Sequence, residues 1–333
     1  MSRIVFGTSA LGNLYTALSL AEKQAIVSEC FKHAEKPVLF DSAGKYGAGL
    51  ALDALGTCLN DLAIAPEAVQ ISNKLGWLRV PLSGDEPTFE KGVWKDLEYD
   101  AVQKISYEGI LECFEQGNAL LKGYSAQLVS VHDPDEYLSR AGSKAEEAQL
   151  YEDILEAYRA LFDLKKAGKV LAVGIGSKDW RVIERLSKVV ELDWVMFANS
   201  FTIMHHPEPL LNLMQELHSR GVKIINSAVF HGGFLMGSDF YNYQPVSRSN
   251  PEQARLYQWR DELEQLCREF DIKPAAACVQ FALSAPGIAS IALNTSNAAR
   301  VKENVALTAQ TIPAAFWDKM KAAGLIQAAY PYV

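Results

Sequence analysis

Residues 151–200 read YEDILEAYRALFDLKKAGKVLAVGIGSKDWRVIERLSKVVELDWVMFANS, and the fold is decided in this stretch. Apolar residues recur at helical spacing from Tyr151 to Ala167. Gly168 stops them where a helix C-cap glycine belongs, and a β-branched run, Val170–Gly176, follows at once. The cycle then repeats, with a helix predicted over Arg181–Val190 and a strand over Trp194–Asn199. Strand and helix alternating at this pace is the signature of parallel β/α units.

Outward from this centre the alternation holds. Strands are predicted at Arg3–Gly7, Val38–Ser42, Val69–Lys74 and Leu128–His132 before the central pair, and at Val222–Ser227 and Ile288–Leu293 after it. Helices are predicted at Glu22–His33, Leu50–Asp61, Tyr107–Lys122, Glu208–Arg220, Pro274–Leu283 and Ala298–Leu307, with Gly221 as a second stop signal. Eight repeats favour a closed α/β barrel, the (β/α)8 or TIM fold, over an open sheet. A barrel of this kind makes the whole chain, 1–333, one domain. No Gly-x-Gly-x-x-Gly opens the first helix, since Gly7 and Gly12 have the wrong spacing, which argues against a Rossmann unit. Three long segments, Arg79–Lys104, Asp133–Gln149 and Phe234–Gln253, each follow a strand and are expected to be loops shaping a pocket at the barrel mouth.

Bulk properties narrow the function classes. The 333-residue chain is 49% hydrophobic and 22% charged with a net charge of −8, and it has no Lys/Arg-rich run. Nucleic acid and anionic membrane are therefore poor partners, and a small molecule is the expected one. Five cysteines, widely spaced and without a CxxC, fit free thiols in a reducing cytoplasm better than disulfides or zinc. No stretch has the roughly 18 apolar residues of a membrane helix, and the N-terminal apolar run is broken by Gly7, Gly12 and Asn13.

The chemistry gathers at strand ends. Asp41, Lys74 and His132 close the second, third and fourth apolar runs, where a charge is costly unless paired. Adjacent strands bring Asp41 and Lys74 to one rim. Tyr46 follows on the loop leaving Asp41, where a nearby ammonium would lower the phenol's pKa from its usual value near 10. His132 would orient a substrate oxygen. The pair His205-His206 is the one hint of a metal site, and adjacent side chains rarely share an ion, so no metal is expected.

Phe40-Asp41-Ser42-Ala43-x-x-Tyr46-Gly47, with Lys74 and His132 after the next strands, resembles the Asp-Tyr-Lys-His tetrad of the aldo-keto reductases. The likeness extends to Gly174-Ile175-Gly176-Ser177, to Asn226–Leu235 and to Arg300-x-x-x-Asn304. Lys74-Leu75-Gly76, His132-Asp133-Pro134-Asp135 and the tail Gly324-Leu325-Ile326 with Pro331 resemble its sugar 1-dehydrogenase branch, the D-threo-aldose, L-fucose and L-galactose dehydrogenases.

The resemblance implies an NAD- or NADP-dependent oxidoreductase, monomeric or homodimeric, that oxidises an aldose at C1 to a lactone. General aldehyde or ketone reduction, and a non-catalytic redox-sensing subunit, are the alternatives. Tyr46 would be the acid/base, Lys74 and Asp41 would tune it, and Trp77 would join His132 in contacting substrate. Phe201 would stack on the nicotinamide near Ser177. Backbone N–H groups of Ser227, Val229, Gly232, Gly233 and Leu235 would receive the pyrophosphate, with Arg300 and Asn304 at the adenosine end. The family pattern is departed from at Ser177-Lys178, where an asparagine usually stands, and at Ala51-Leu52, where Ser-Glu is common. Asn294 and Ser296 replace cations that NADP-dependent relatives carry, which leans the expectation toward NAD.

Overall fold

Eight parallel strands close into a barrel in the computed structural model, which describes residues 2–242 and 244–333. The barrel strands are β1 (Ile4–Gly7), β2 (Val38–Ala43), β3 (Val69–Leu75), β4 (Leu128–His132), β5 (Ala172–Ser177), β6 (Trp194–Ala198), β7 (Lys223–Ser227) and β8 (Ile288–Leu293). They run in sequence order around the ring, β8 returning to pair with β1 through Ile4↔Ile291. Each expected strand is present to within two residues at either end.

Alternation along the strands sorts the core into two layers. Phe40, Ile71, Val129, Val131, Val173, Ile175, Val195, Phe197 and Ile224 face the surrounding helices in one large cluster. Val5, Leu39, Leu128, Trp194, Met196 and Ile225 fill the barrel itself. Trp194 fits only because Gly174 stands beside it: a Cβ on Gly174 would come within 2.2 Å of the indole. By the same alternation Asp41, Ser72, Lys74, Ser130 and His132 point inward above this plug, toward the C-terminal mouth. In register, Asp41 lies beside Ser72, Lys74 beside Ser130 and His132 beside Gly176.

The predicted stop signals act as expected, Gly168 and Gly221 taking φ of 70° and 79° after their helices. The connections contain more structure than their polarity implied. Within Arg79–Lys104 the chain forms an antiparallel hairpin, Trp77–Pro81 with Tyr99–Gln103. Asp133–Gln149 is not a loop: it holds a short helix, Pro134–Leu138, and the first turns of Lys144–Lys166, which begins at an N-cap where Ser143 accepts from the Glu146 N–H. A capping serine followed by two glutamates was the signal for that early start. Two further helices, Ala254–Glu269 and Ala314–Ala322, pack on the barrel's outside. All five cysteines are buried and free. Among the described residues no helix is long and apolar enough to cross a membrane.

Candidate active site

The loop after β2 is pinned by glycines. A Cβ on Gly44 would meet the Trp77 carbonyl at 2.3 Å, and one on Gly47 would meet the Gly12 carbonyl at the same distance. Gly47 also needs its φ of 61°, which a side chain tolerates poorly. Backbone passing this closely on both sides leaves Tyr46, two residues after Gly44 and next to Gly47, little freedom of position.

Four side chains meet around that loop. The Lys74 ammonium is bonded to Asp41, whose other carboxylate oxygen accepts from the Ser72 hydroxyl at 3.1 Å. The same ammonium lies 4.7 Å from the centre of the Tyr46 ring. His132 meets that ring edge-on, with centroids 5.6 Å apart. Gly176 makes room for the lysine stem, since a Cβ there would stand 3.2 Å from Lys74 Cδ. Asp41, Lys74 and His132 are each no more than 3% exposed. The predicted quartet is therefore a single constellation at the mouth.

Its electrostatics differ from expectation at one point. Burial pushes the Tyr46 phenol above its ordinary pKa, and the attraction of Lys74, which acts downward as foreseen, does not reverse the shift. Burial also opposes the Lys74 charge, but Asp41 and then Tyr46 hold its ammonium above the usual lysine range. His132 is kept well below 6.5, first by burial and then by Lys74 and Lys45, so its ring is neutral near pH 7. Its Nδ1 is buried without a partner among the described residues.

Sequence reasoning missed the rim around this quartet. Lys45, 4% exposed, pairs with Glu90 and Glu136 at 2.8 Å each. Lys178 pairs with Glu136 and, at 3.4 Å, with Asp133. The Trp94 indole donates to Glu90 at 2.7 Å. The network ties the Tyr46 loop, the hairpin insertion and the segment after β4 together. Only Lys45 left a trace in the sequence, as a cation next to Tyr46 in a buried loop. Nothing local marks Glu90 as its partner.

Several of the other residues singled out in the sequence already have protein partners. Trp77 is buried, with the Lys45 ammonium 5.3 Å over its ring and Phe89 packed beside it, so it builds the wall and offers no open face. Phe201 is wholly buried, stacked on Phe281 at 5.6 Å and near Tyr330, because the residues after β6 turn it back into the helical layer. The Ser177 hydroxyl donates to the Asp179 carbonyl at 3.1 Å. His206 is a core histidine whose Nδ1 bonds the Thr202 carbonyl and whose Nε2 accepts from the Gln327 N–H.

The loop after β7 divides its N–H groups between bonded and unbonded. Ala228, His231, Gly232 and Gly233 all have positive φ, a winding that gathers backbone N–H groups. Gly233 and Leu235 spend theirs on the Phe230 carbonyl, so those two are not available to a ligand. Among the described residues the N–H groups of Ala228, Val229, Phe230 and Gly232 have no protein acceptor. Ser227 donates its hydroxyl to the Phe197 carbonyl. His231 anchors the loop, Nε2 to the Thr202 hydroxyl and Nδ1 to the Asn242 side chain, both at 2.6 Å. On the helix Ala299–Leu307, Arg300 is exposed and Asn304 half-buried, and Asn294 donates to the Ser9 hydroxyl at 2.7 Å.

Comparison with known proteins agrees with this geometry. The aldo/keto reductase family model matches residues 3–324. Pyridoxal 4-dehydrogenase of Microbacterium luteolum is 26% identical, the match covering 96% of this chain and 93% of that protein. D-threo-aldose 1-dehydrogenase of a Pseudomonas species is 25% identical over the same shares. In fold, the chain is similar to a glycerol dehydrogenase from Gluconobacter oxydans, at TM-score 0.70 and 15% identity, covering 99% of this chain and 95% of that one. It is also similar to an aldo-keto reductase from Bacillus halodurans in its holo form, at TM-score 0.66 and 20% identity, covering 98% and 93%.

Proposed function

The chain belongs to the aldo-keto reductase family of oxidoreductases, and from that premise we propose that it moves a hydride between a nicotinamide cofactor and a small hydroxylated substrate, oxidising an aldose hemiacetal to its lactone. The observation that carries this reading is the buried Asp41–Lys74 pair with its ammonium against the Tyr46 ring. A phenol beside a fixed cation, at the mouth of a barrel, is equipped to exchange one proton with a substrate oxygen.

Each residue has a distinct task. Tyr46 Oη takes the carbinol proton during oxidation and returns it during reduction. Lys74 stabilises the phenolate that accepts the proton in oxidation and is left behind in reduction, and Asp41 keeps Lys74 charged and in place. His132, neutral, binds the substrate oxygen without competing for its proton. Lys45, Glu90, Glu136 and Lys178 hold the loops that bound the pocket, and the aromatic cluster of Trp77, Phe89 and Trp94 excludes water from one side.

A bound nicotinamide supplies the hydride acceptor or donor. The unspent N–H groups of Val229 and Gly232, with their neighbours Ala228 and Phe230, fit its pyrophosphate, since backbone donors without acceptors in a run of positive-φ residues suit an anion. Arg300 and Asn304 serve the adenosine end. Asn294 and Ser296 offer no charge to a 2′-phosphate, so NAD is the preferred form and NADP the weaker one. The whole chain, 1–333, works as one unit on a small molecule, as monomer or homodimer.

Substrate choice rests on the relatives, one named for a D-threo-aldose and the other for pyridoxal. Reduction of aldehydes is the second reading, and the raised pKa of Tyr46 favours it, because the protonated phenol is the acid that reduction needs. The test is nicotinamide absorbance with NAD or NADP and a panel of aldoses and simple aldehydes, across pH. Oxidation should climb into the alkaline range as Tyr46 loses its proton, while reduction stays level near neutrality and falls at high pH. Tyr46→Phe should lower turnover by about 10³-fold with cofactor affinity unchanged. Full activity in that variant would overturn the mechanism.

A further inference from the structure

We propose that Arg260, on the outer helix Ala254–Glu269 and far in sequence from every motif considered above, is a positioning residue for pyrophosphate binding: it stations a buried cation behind the loop after β7 and ties back that loop's carbonyls. The inference deepens the nicotinamide reading and rests on it.

Arg260 is 6% exposed. Its neighbours Arg248 and Arg268 are paired with Asp261 and Glu264, whereas Arg260 has no carboxylate partner among the described residues. A buried cation without a counter-ion is costly and calls for a reason. Its guanidinium donates to the carbonyls of Phe234 at 3.1 Å and Ser238 at 3.0 Å. It lies against the rings of Phe234, 4.5 Å away, and Tyr257, 4.9 Å away, which meet each other edge-on. Nε is buried without a partner among the described residues.

The loop's own hydrogen bonds explain why this matters. The carbonyl of Ala228 accepts from His231, that of Phe230 from Gly233 and Leu235, and that of Gly233 from Met236 and Ser238. Arg260 takes the Ser238 carbonyl and shares that of Phe234 with the Gly237 N–H. Those carbonyls are thereby turned away from a ligand, while the donors of Ala228, Val229, Phe230 and Gly232 keep no acceptor among the described residues. Unspent donors in a loop braced by a buried cation favour an anion without placing a charged side chain in contact with the ligand. An anion bound there is the counter-ion that Arg260 lacks.

The test compares wild type, Arg260→Met and Arg260→Lys. Binding of NAD, ADP-ribose and AMP is read by tryptophan fluorescence, and exchange of the 228–238 amides is read without ligand. NAD and ADP-ribose carry the pyrophosphate and AMP does not. The inference expects Arg260→Met to weaken NAD and ADP-ribose by about tenfold, leave AMP within twofold and speed loop exchange. Both carbonyls are met by one nitrogen, Nη1, while the planar guanidinium lies against two rings; a lysine keeps the charge and loses that planar contact, so Arg260→Lys should lose about threefold. That variant carries the test if the methionine variant does not fold. Unchanged NAD affinity in both variants overturns the proposal, and so does an equal loss of AMP and NAD, which marks a merely structural role. If wild type binds neither NAD nor NADP, it is the nicotinamide reading that falls.

Discussion

The two sides of the barrel mouth are built on opposite principles. Over β2–β4 the site is made of full charges, Asp41 with Lys74 and Lys45 with Glu90 and Glu136, the first three withdrawn from water and the two glutamates about one third exposed. Over β7 and β8 it is made of backbone, with Val229 and Gly232 offering N–H groups and the cation, Arg260, kept behind the loop. The first arrangement suits proton exchange, where one group must change charge beside a fixed partner. The second suits holding an anion that does not react, where many weak donors serve and a strong contact would slow release. The difference teaches that charge is placed where it must respond and dipoles where it must only be received.

Breaking the charged side should have the largest effect. Lys74→Met leaves Asp41 buried and unpaired, which should cost about 3–5 kcal/mol of stability in urea titration and abolish measurable turnover. Adding Asp41→Asn should restore much of the stability and none of the activity, separating the pair's structural from its chemical worth. Acid tests both sides together. His206 and His231 are held near pKa 4, chiefly by burial, and His132 lies well below 6.5. The unfolded chain takes up protons near pH 6.5 that the folded chain refuses, so stability should be full above that pH and fall as pH drops toward 4. For His206 and His231 the linkage amounts to roughly 3 kcal/mol each, readable from denaturation midpoints at successive pH values.

Effects on the backbone side should be smaller. Gly233 has φ 96°, and a Cβ there would stand 3.1 Å from Ser238 Oγ. Gly233→Ala should cost roughly 1–2 kcal/mol and raise the KM for NAD several-fold, with kcat at saturating NAD little changed. The mildest change is Asn294→Lys, which should improve NADP affinity about threefold at low salt, with the gain fading as salt is added. If it made NADP the preferred cofactor outright, the contrast between a charged and an uncharged side would rest on a single residue.

Legibility divides along the same line. β2–β4 could be read because Asp41, Lys74 and His132 interrupt apolar runs, and an interruption that burial makes costly announces itself. The hairpin and the helix Ala254–Glu269 were passed over because their polar faces look like loop. Phe201 was assigned to a ligand because a residue's place in the chain does not reveal which way a turn throws its ring; the core around Phe281 and Tyr330 claims it. Which N–H groups of 227–235 remain free depends on turn dihedrals that no side chain there advertises. Arg260 was invisible for the same reason, its partners being carbonyls.

The hairpin Trp77–Pro81/Tyr99–Gln103 pairs with itself and with no barrel strand. It carries a wall of the pocket through Trp77, Phe89 and Trp94, yet the barrel would close without it. Such a part can be exchanged as a cassette. A laboratory lineage seeking new substrates could vary residues 82–98 while keeping Glu90 and Trp94, which meet Lys45 and Tyr46, and natural divergence within the family has the same route open to it.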